Sequence, residues 1–244
     1  MAHPSYQQKI TDLIFAARRR MKRSRDTVHD LDHAERVAAF AEQLANDCRI
    51  TGDQKQALIL AAYWHDMART LNRRTSLLIM PLMDDLISAF MLWYATIRAG
   101  LFGSVAGMAT RLIFCKSLGA GAILTRLLMR RRNHILIDLL KDADTLDTIS
   151  QERMVRLMPL VESSRRYHWS YKKLIQYLVN SNYLHMKTKA ARVYAIKLLK
   201  IFLDWVQKNA IYLWHIAQFG KKWCARMLKQ ADHLLLRLET LQLM

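Results

Sequence analysis

Residues 51–69 read TGDQKQALILAAYWHDMAR, and this stretch decides the fold class. Thr51-Gly52-Asp53 offers an N-terminal cap, and Ala57, Leu58, Leu60, Ala61 and Trp64 then recur at the spacing of a helix. The apolar run closes at His65-Asp66, so the pattern predicts a helix ending at that polar pair. A strand would place apolar residues at alternate positions, and no alternation of useful length occurs here or elsewhere in the chain.

The same period extends outward. Upstream, Asp32 followed by Glu35 forms a capping-box pattern, after which Val37, Phe40, Ala41 and Leu44 continue a helix to about Asn46. Residues near 6–24 form a first helix on Ile10, Leu13, Ile14 and Ala17, closed by Arg18, Arg19, Arg20, Lys22 and Arg23, where cations suit a helix C-terminus. Downstream, 75–129 is an apolar insertion, expected as helices broken near Pro81 and between Gly100 and Gly107. Asp84, Asp85, Arg98, Arg111, Lys116 and Arg126 cut it into uncharged runs of about a dozen residues, short of the ~18 that a membrane span needs. A helix resumes after Arg130-Arg131-Arg132 and runs through Ile135, Ile137, Leu139 and Leu140 into Lys141-Asp142-Ala143-Asp144-Thr145-Leu146-Asp147. Stretches 170–183, 187–208 and 210–243 complete the helices. The expectation is an all-α fold: a helical domain over 1–205, carrying the insertion, and a basic amphipathic helical extension over 206–244.

Composition narrows the classes. Apolar residues make up 52% of the chain, too many for a disordered segment, and only seven Gly and three Pro interrupt it. The formal charge of +18 attracts polyanions, whether nucleotides, nucleic acid or anionic lipid. Cys48, Cys115 and Cys224 are odd in number and form no CxxC pair, which excludes a disulfide framework and a thiolate zinc site. Free thiols suit a reducing compartment, so a cytoplasmic location is expected, with the membrane periphery as the alternative. The N-terminal stretch shows no signal-peptide pattern.

His33 opens one expected helix, His65 and Asp66 close the next, and Asp144 lies on a later one. Two imidazoles and two carboxylates suit a divalent cation such as Mn, Fe, Co, Ni, Zn or Mg. A lone His-Asp pair is common; the surroundings raise this one. His29-Asp30-Leu31-Asp32-His33-Ala34-Glu35-Arg36-Val37 resembles the first motif of the HD superfamily of metal-dependent phosphohydrolases. Ala61-Ala62-Tyr63-Trp64-His65-Asp66-Met67-Ala68-Arg69 resembles its His-Asp motif, and Lys141-Asp142-Ala143-Asp144-Thr145-Leu146-Asp147 its closing motif. The order of the three is kept, and the likeness covers roughly 25–205.

The resemblance implies that His33, His65, Asp66 and Asp144 hold the metal. It implies that His29, Asp30, Asp32, Asp142 and Asp147 orient those ligands. Arg36 matches the motif and is assigned to structure. Asp66 would also steady the attacking water, Asp147 or Asp142 would accept its proton, and Lys141 and Arg69 would meet phosphate. The substrate would be a nucleotide or another small phosphate ester or anhydride. Relatives often carry further His residues between the His-Asp pair and the last Asp, whereas here only His134 falls in that interval, so one metal per site is expected. The alternative is a non-catalytic basic helical module with a degenerate site, binding nucleic acid or an anionic membrane surface through its charge, the apolar insertion and the tail around Lys221, Lys222, Trp223 and Arg226. An apolar insertion of this kind also suits a homo-oligomer interface.

Overall fold

The computed structural model of the chain describes residues 5–71, 80–117, 121–180 and 186–243. Residues 75–79 of the expected insertion and His185 lie outside them. Among the described residues there is no strand; the fold is all-α, and no helix is long and apolar enough to cross a membrane. The chain divides into two compact units, Met1–Asp144 and Thr145–Met244.

The first unit holds α1 (Tyr6–Met21), α2 (Leu31–Asp47), α3 (Gly52–Trp64), α4 (Met80–Arg98), α5 (Ser104–Lys116), α6 (Gly121–Leu128) and most of α7 (His134–Thr148). Helix α3 is its axis. Ala57, Leu58, Leu60, Ala61 and Ala62 are fully buried, so α3 is apolar around most of its circumference, as a helix covered on several sides must be. α1, α2 and α5 pack on it. Alanines make the approach close: Ala34, Ala38, Ala41 and Ala45 line the inner stripe of α2. Leu58 and Leu60 each contribute about 1.5–3 kcal/mol by leaving water. The Trp64 indole N–H donates to the Leu13 carbonyl at 3.1 Å and ties the end of α3 to α1. The basic end of α1 is engaged within this unit: Arg18 pairs with Glu35 at 2.6 Å, and Arg20 Nε donates to Thr70 Oγ1 at 2.8 Å.

One local expectation is corrected. The cap of α2 is Asp30, not Asp32: its carboxylate accepts the His33 amide at 3.1 Å, which satisfies a first-turn donor that has no partner within the helix. Asp32 instead lies in the first turn, where its charge favours the helix dipole. Pro81 lies where a break was expected, beside the start of α4 at Met80. It sits in the first turn of α4, where a missing N–H costs no intrahelical bond. The interruption after α4 comes at Gly100, whose φ of +58° is left-handed.

The second unit contains α8 (Gln151–Ser163), α9 (Arg165–Val179), α10 (Lys189–Val206), α11 (Asn209–Phe219) and α12 (Lys221–Leu243). α8 had no counterpart among the expected helices; Pro159 stands inside it and obscures its period. The stretch 210–243, expected as part of a basic amphipathic helical extension, forms two helices, separated at Gly220 with φ +83°, a conformation that favours glycine. α12 packs on α9, α10 and α11 and buries Trp223, Met227 and Leu234. The sequence-based division at 206 therefore falls within this unit, between α10 and α11.

Candidate metal centre

The first turn of α2 presents His33, the end of α3 presents His65 and Asp66, and α7 presents Asp144. All four come together. His33 Nε2 lies 3.3 Å from His65 Nε2, 3.2 Å from Asp66 Oδ2 and 3.7 Å from Asp144 Oδ1. His65 Nε2 lies 3.5 Å from Asp66 Oδ2 and 3.7 Å from Asp144 Oδ1. Two donors each about 2.1 Å from a transition metal and separated by 3.2–3.7 Å subtend angles of roughly 100–125°, within ordinary coordination geometry. The donor set also fits a divalent cation, with imidazole nitrogen and carboxylate oxygen in equal number. His33, His65 and Asp144 alone already form a group able to hold such an ion.

The ring of His65 is set by its own helix. Its Nδ1 donates to the Ala62 carbonyl at 2.7 Å, so in the neutral ring the Nε2 lone pair faces the other three ligands. His33 and His65 are essentially inaccessible to solvent. Burial pulls the His65 imidazole down, but the Asp66 charge, opposed by Lys116 and reinforced by Asp144, brings it to about 9. Burial would raise the two carboxylates; the His65 charge and the His33 hydrogen bond hold Asp66, and Lys116 and His65 hold Asp144, well below the usual range.

A supporting chain lies behind it. His29 Nδ1 bonds Asp26 Oδ2 at 3.2 Å, while its Nε2 faces Asp66 Oδ2 at 4.0 Å. Asp26 Oδ1 also accepts the amides of Val28 and His29, which fixes the loop leading into α2. Burial opposes the charge on Asp26, yet His29 and these amides bring it to about 2.

Three further residues join from the apolar insertion. Lys116 of α5 places Nζ 3.0 Å from Asp144 Oδ2 and 3.3 Å from Asp85 Oδ1. Burial would lower the lysine, but Asp144, Asp85 and Asp66 raise it above its ordinary value, so it stays charged. Burial pushes Asp85 up against the pull of Lys116. Asp84, next to it on α4, meets Arg69 Nη2 at 2.5 Å; burial takes its carboxyl to about 7 despite that cation. The sequence reading registered these charges only as cuts in an apolar run. Their signal lies in the spacing: Asp84, Asp85, Ser88 and Thr96 fall on one side of a helix whose remaining positions are mostly large and apolar.

Other expected site residues are placed elsewhere. Arg69 is buried between Asp84 and Asp26, the latter at 3.9 Å, which gives it a role in the core rather than toward phosphate. Asp147 belongs to the second unit, fully buried, and pairs with Arg153 at 2.8 Å. Lys141 lies on α7, where its charge also acts on the Cys115 thiol, and Asp142 is buried, where its charge also acts on Cys48; Lys116 Nζ meets Asp144 Oδ2. His134 bonds the Met129 carbonyl at 3.4 Å, a structural place. Among the histidines outside the motifs, His168 donates to the Gln218 carbonyl, and His215 bridges the Ile211 carbonyl and the Tyr171 hydroxyl.

No family model, curated protein or solved structure compared with the chain matches it.

Proposed function

We propose that the chain is a metal-dependent phosphohydrolase of the HD superfamily, acting on a nucleotide or another small phosphate ester or anhydride. The observation that carries this reading is the cluster of His33, His65 and Asp144, whose ligand atoms all lie within 4.8 Å of one another, with Asp66 Oδ2 at 3.2 and 3.5 Å from the two imidazole nitrogens. A bound divalent cation supplies Lewis acidity toward a phosphoryl oxygen and makes water a stronger acid.

The residues around the ligands have roles of their own. Lys116, held charged beside Asp144, presents an ammonium to the phosphate charge that builds during hydrolysis. Asp85 carries a raised carboxyl in contact with that ammonium and is suited to exchange a proton with a substrate oxygen. In this reading Lys116 and Asp85 take the parts expected of Lys141 and Asp147. Asp26 and His29 keep Asp66 in place.

The test is elemental analysis by plasma mass spectrometry of the purified chain and its Asp144→Ala variant, followed by phosphate release from nucleotides and from p-nitrophenyl phosphate with added Mn²⁺. About one metal per chain is expected in the wild type and none in the variant. Hydrolysis should fall by at least the roughly 10–100-fold that loss of even an outer partner of a ligand costs. Absence of metal in the wild type after reconstitution with Mn, Fe or Zn refutes the reading.

A further inference from the structure

Helix α4 is inside out. Its buried side carries Asp84, Asp85, Ser88 and Thr96, along with Ala89 and Leu92. Each of the polar four has work within the first unit: Asp84 on Arg69, Asp85 on Lys116, the Ser88 hydroxyl on the Ala68 amide, and the Thr96 hydroxyl on the Trp93 carbonyl. Its outer side carries Phe90, Trp93, Tyr94 and Ile97, which are 41–59% exposed. These fall at i, i+3, i+4 and i+7, so they form one stripe along about two turns. Phe102, just beyond the helix, is 81% exposed, and Leu127 of α6 is 74% exposed. A soluble monomer seldom leaves a continuous stripe of four large apolar side chains in water. The buried polar side is fixed by the metal centre, so the helix cannot turn over to hide them.

The charges of the same segment identify what covers the stripe. From Leu86 to Ile137 there is no Asp or Glu. There are seven cations, of which Lys116 belongs to the metal centre and the other six are all arginines, all exposed. A second copy of the chain would bring these arginines toward their equivalents with no carboxylate from the segment to answer them. Nucleic acid would accept the arginines and stack on aromatic rings, but it offers nothing to Ile97 or Leu127. An anionic bilayer takes all three features: aliphatic side chains at the acyl boundary, Trp and Tyr at the headgroups, and arginines on lipid phosphate.

We propose that the outward stripe of α4 is a docking surface for an anionic lipid bilayer, with the exposed arginines of 86–137 supplying the attraction. The helix lies in the plane of the interface, since it is not long and apolar enough to span and its inner side is committed to the metal centre. The first unit is thereby a peripheral membrane module whose metal centre backs onto the membrane-facing helix. The docking is independent of metal binding, so the two readings can fail separately.

The test is flotation of the full chain with vesicles of phosphatidylcholine alone and with phosphatidylglycerol added. Binding is expected with phosphatidylglycerol only, and it should weaken as salt rises. Trp93→Ser with Tyr94→Ser should lower it at least about tenfold, with helicity by circular dichroism unchanged. Phe102→Ser, at an exposed loop position, is a second variant expected to lower it in the same direction. The Asp144→Ala chain should bind vesicles like the wild type. Absence of binding to anionic vesicles, or equal binding by wild type and both variants, overturns the proposal. So does a wild-type dimer in sedimentation that Trp93→Ser with Tyr94→Ser converts to monomer without any vesicle binding, which assigns the stripe to a second copy. Capture of a single-stranded oligonucleotide through the same residues, again without vesicle binding, overturns it in favour of nucleic acid.

Discussion

Replacing Lys116 by Met removes the ammonium that Asp85 and Asp144 share while keeping a side chain of similar length. At 3.0 and 3.3 Å, each pair attracts by about 5 kcal/mol at an effective dielectric of 20. The cost of taking the ammonium out of water offsets several kcal/mol of that, and removing one partner of a buried pair costs about 3–5 kcal/mol in practice. Asp85 sets a ceiling, because it can escape by taking a proton. Protonating an ordinary carboxyl costs about 4 kcal/mol at pH 7 and about 1.5 kcal/mol at pH 5. The expected loss is therefore about 3–4 kcal/mol at pH 7 and under about 2 kcal/mol at pH 5. The sign follows from linkage. A carboxyl raised above its unfolded value binds more protons in the native state, so its penalty is absent at low pH and grows as pH rises toward the folded value. A saturating divalent cation should reduce the deficit, since it gives Asp144 a new counter-charge and leaves only Asp85 unanswered. Urea unfolding by far-ultraviolet circular dichroism, at both pH values and with Mn²⁺ or chelator, reads all of this. A deficit that is the same at pH 5 and pH 7, and with or without Mn²⁺, would show that Lys116 acts by packing alone.

Other outcomes follow from the same structure. Asp30→Ala should cost about 1 kcal/mol by removing the cap of α2, with Asp30→Asn close to wild type, read from urea midpoints. Leu112→Ala, at a fully buried position of α5, should cost about 2–5 kcal/mol in the same assay. His215 gives the second unit a pH dependence. Burial, working against the Ile211 carbonyl, holds its imidazole below the ordinary value of 6.5. The unfolded chain then binds the proton more readily, so stability contributed by neutral His215 is present above about 6.5 and is lost as pH falls through the window beneath it. His215→Phe should flatten the difference in stability between pH 5 and pH 7.5, and an unchanged difference would remove His215 as its source.

The parts of this protein that could be read from sequence are those whose physics is local. The spacing of Ala57, Leu58, Leu60, Ala61 and Trp64 reports a helix because the period belongs to one segment. The clustering of His33, His65, Asp66 and Asp144 was legible because each lies at a helix end or on a helix face that a short motif marks. The cap at Asp30 was misplaced by two residues because Asp32 and Asp30 offer the same chemistry, and only the backbone at Asp30, extended at φ −107° and ψ −169°, distinguishes them. Arg69 and Asp147 were assigned outward roles because a charge beside a motif is ambiguous until its partner is known. Asp84 and Arg153 supply those partners from 15 and 6 residues away.

Helix α4 shows where local reasoning reverses. An amphipathic period states that a helix has two different sides; it does not state which side faces inward. The usual assumption, apolar inside, turns Asp84 and Asp85 into interruptions of an apolar insertion. The structure places them inside because cations wait there: Arg69 from the turn after α3 and Lys116 from α5. Burying those charges unpaired would cost far more than exposing Phe90, Trp93, Tyr94 and Ile97, whose transfer to water costs about 1.5–3 kcal/mol for each large side chain. Polar pairing thus sets the orientation of α4, and the apolar side is left outward as the consequence. The sign of a helix's inner face is decided by residues far away in sequence, which is why the inversion could be seen only once α3, α4 and α5 were placed together.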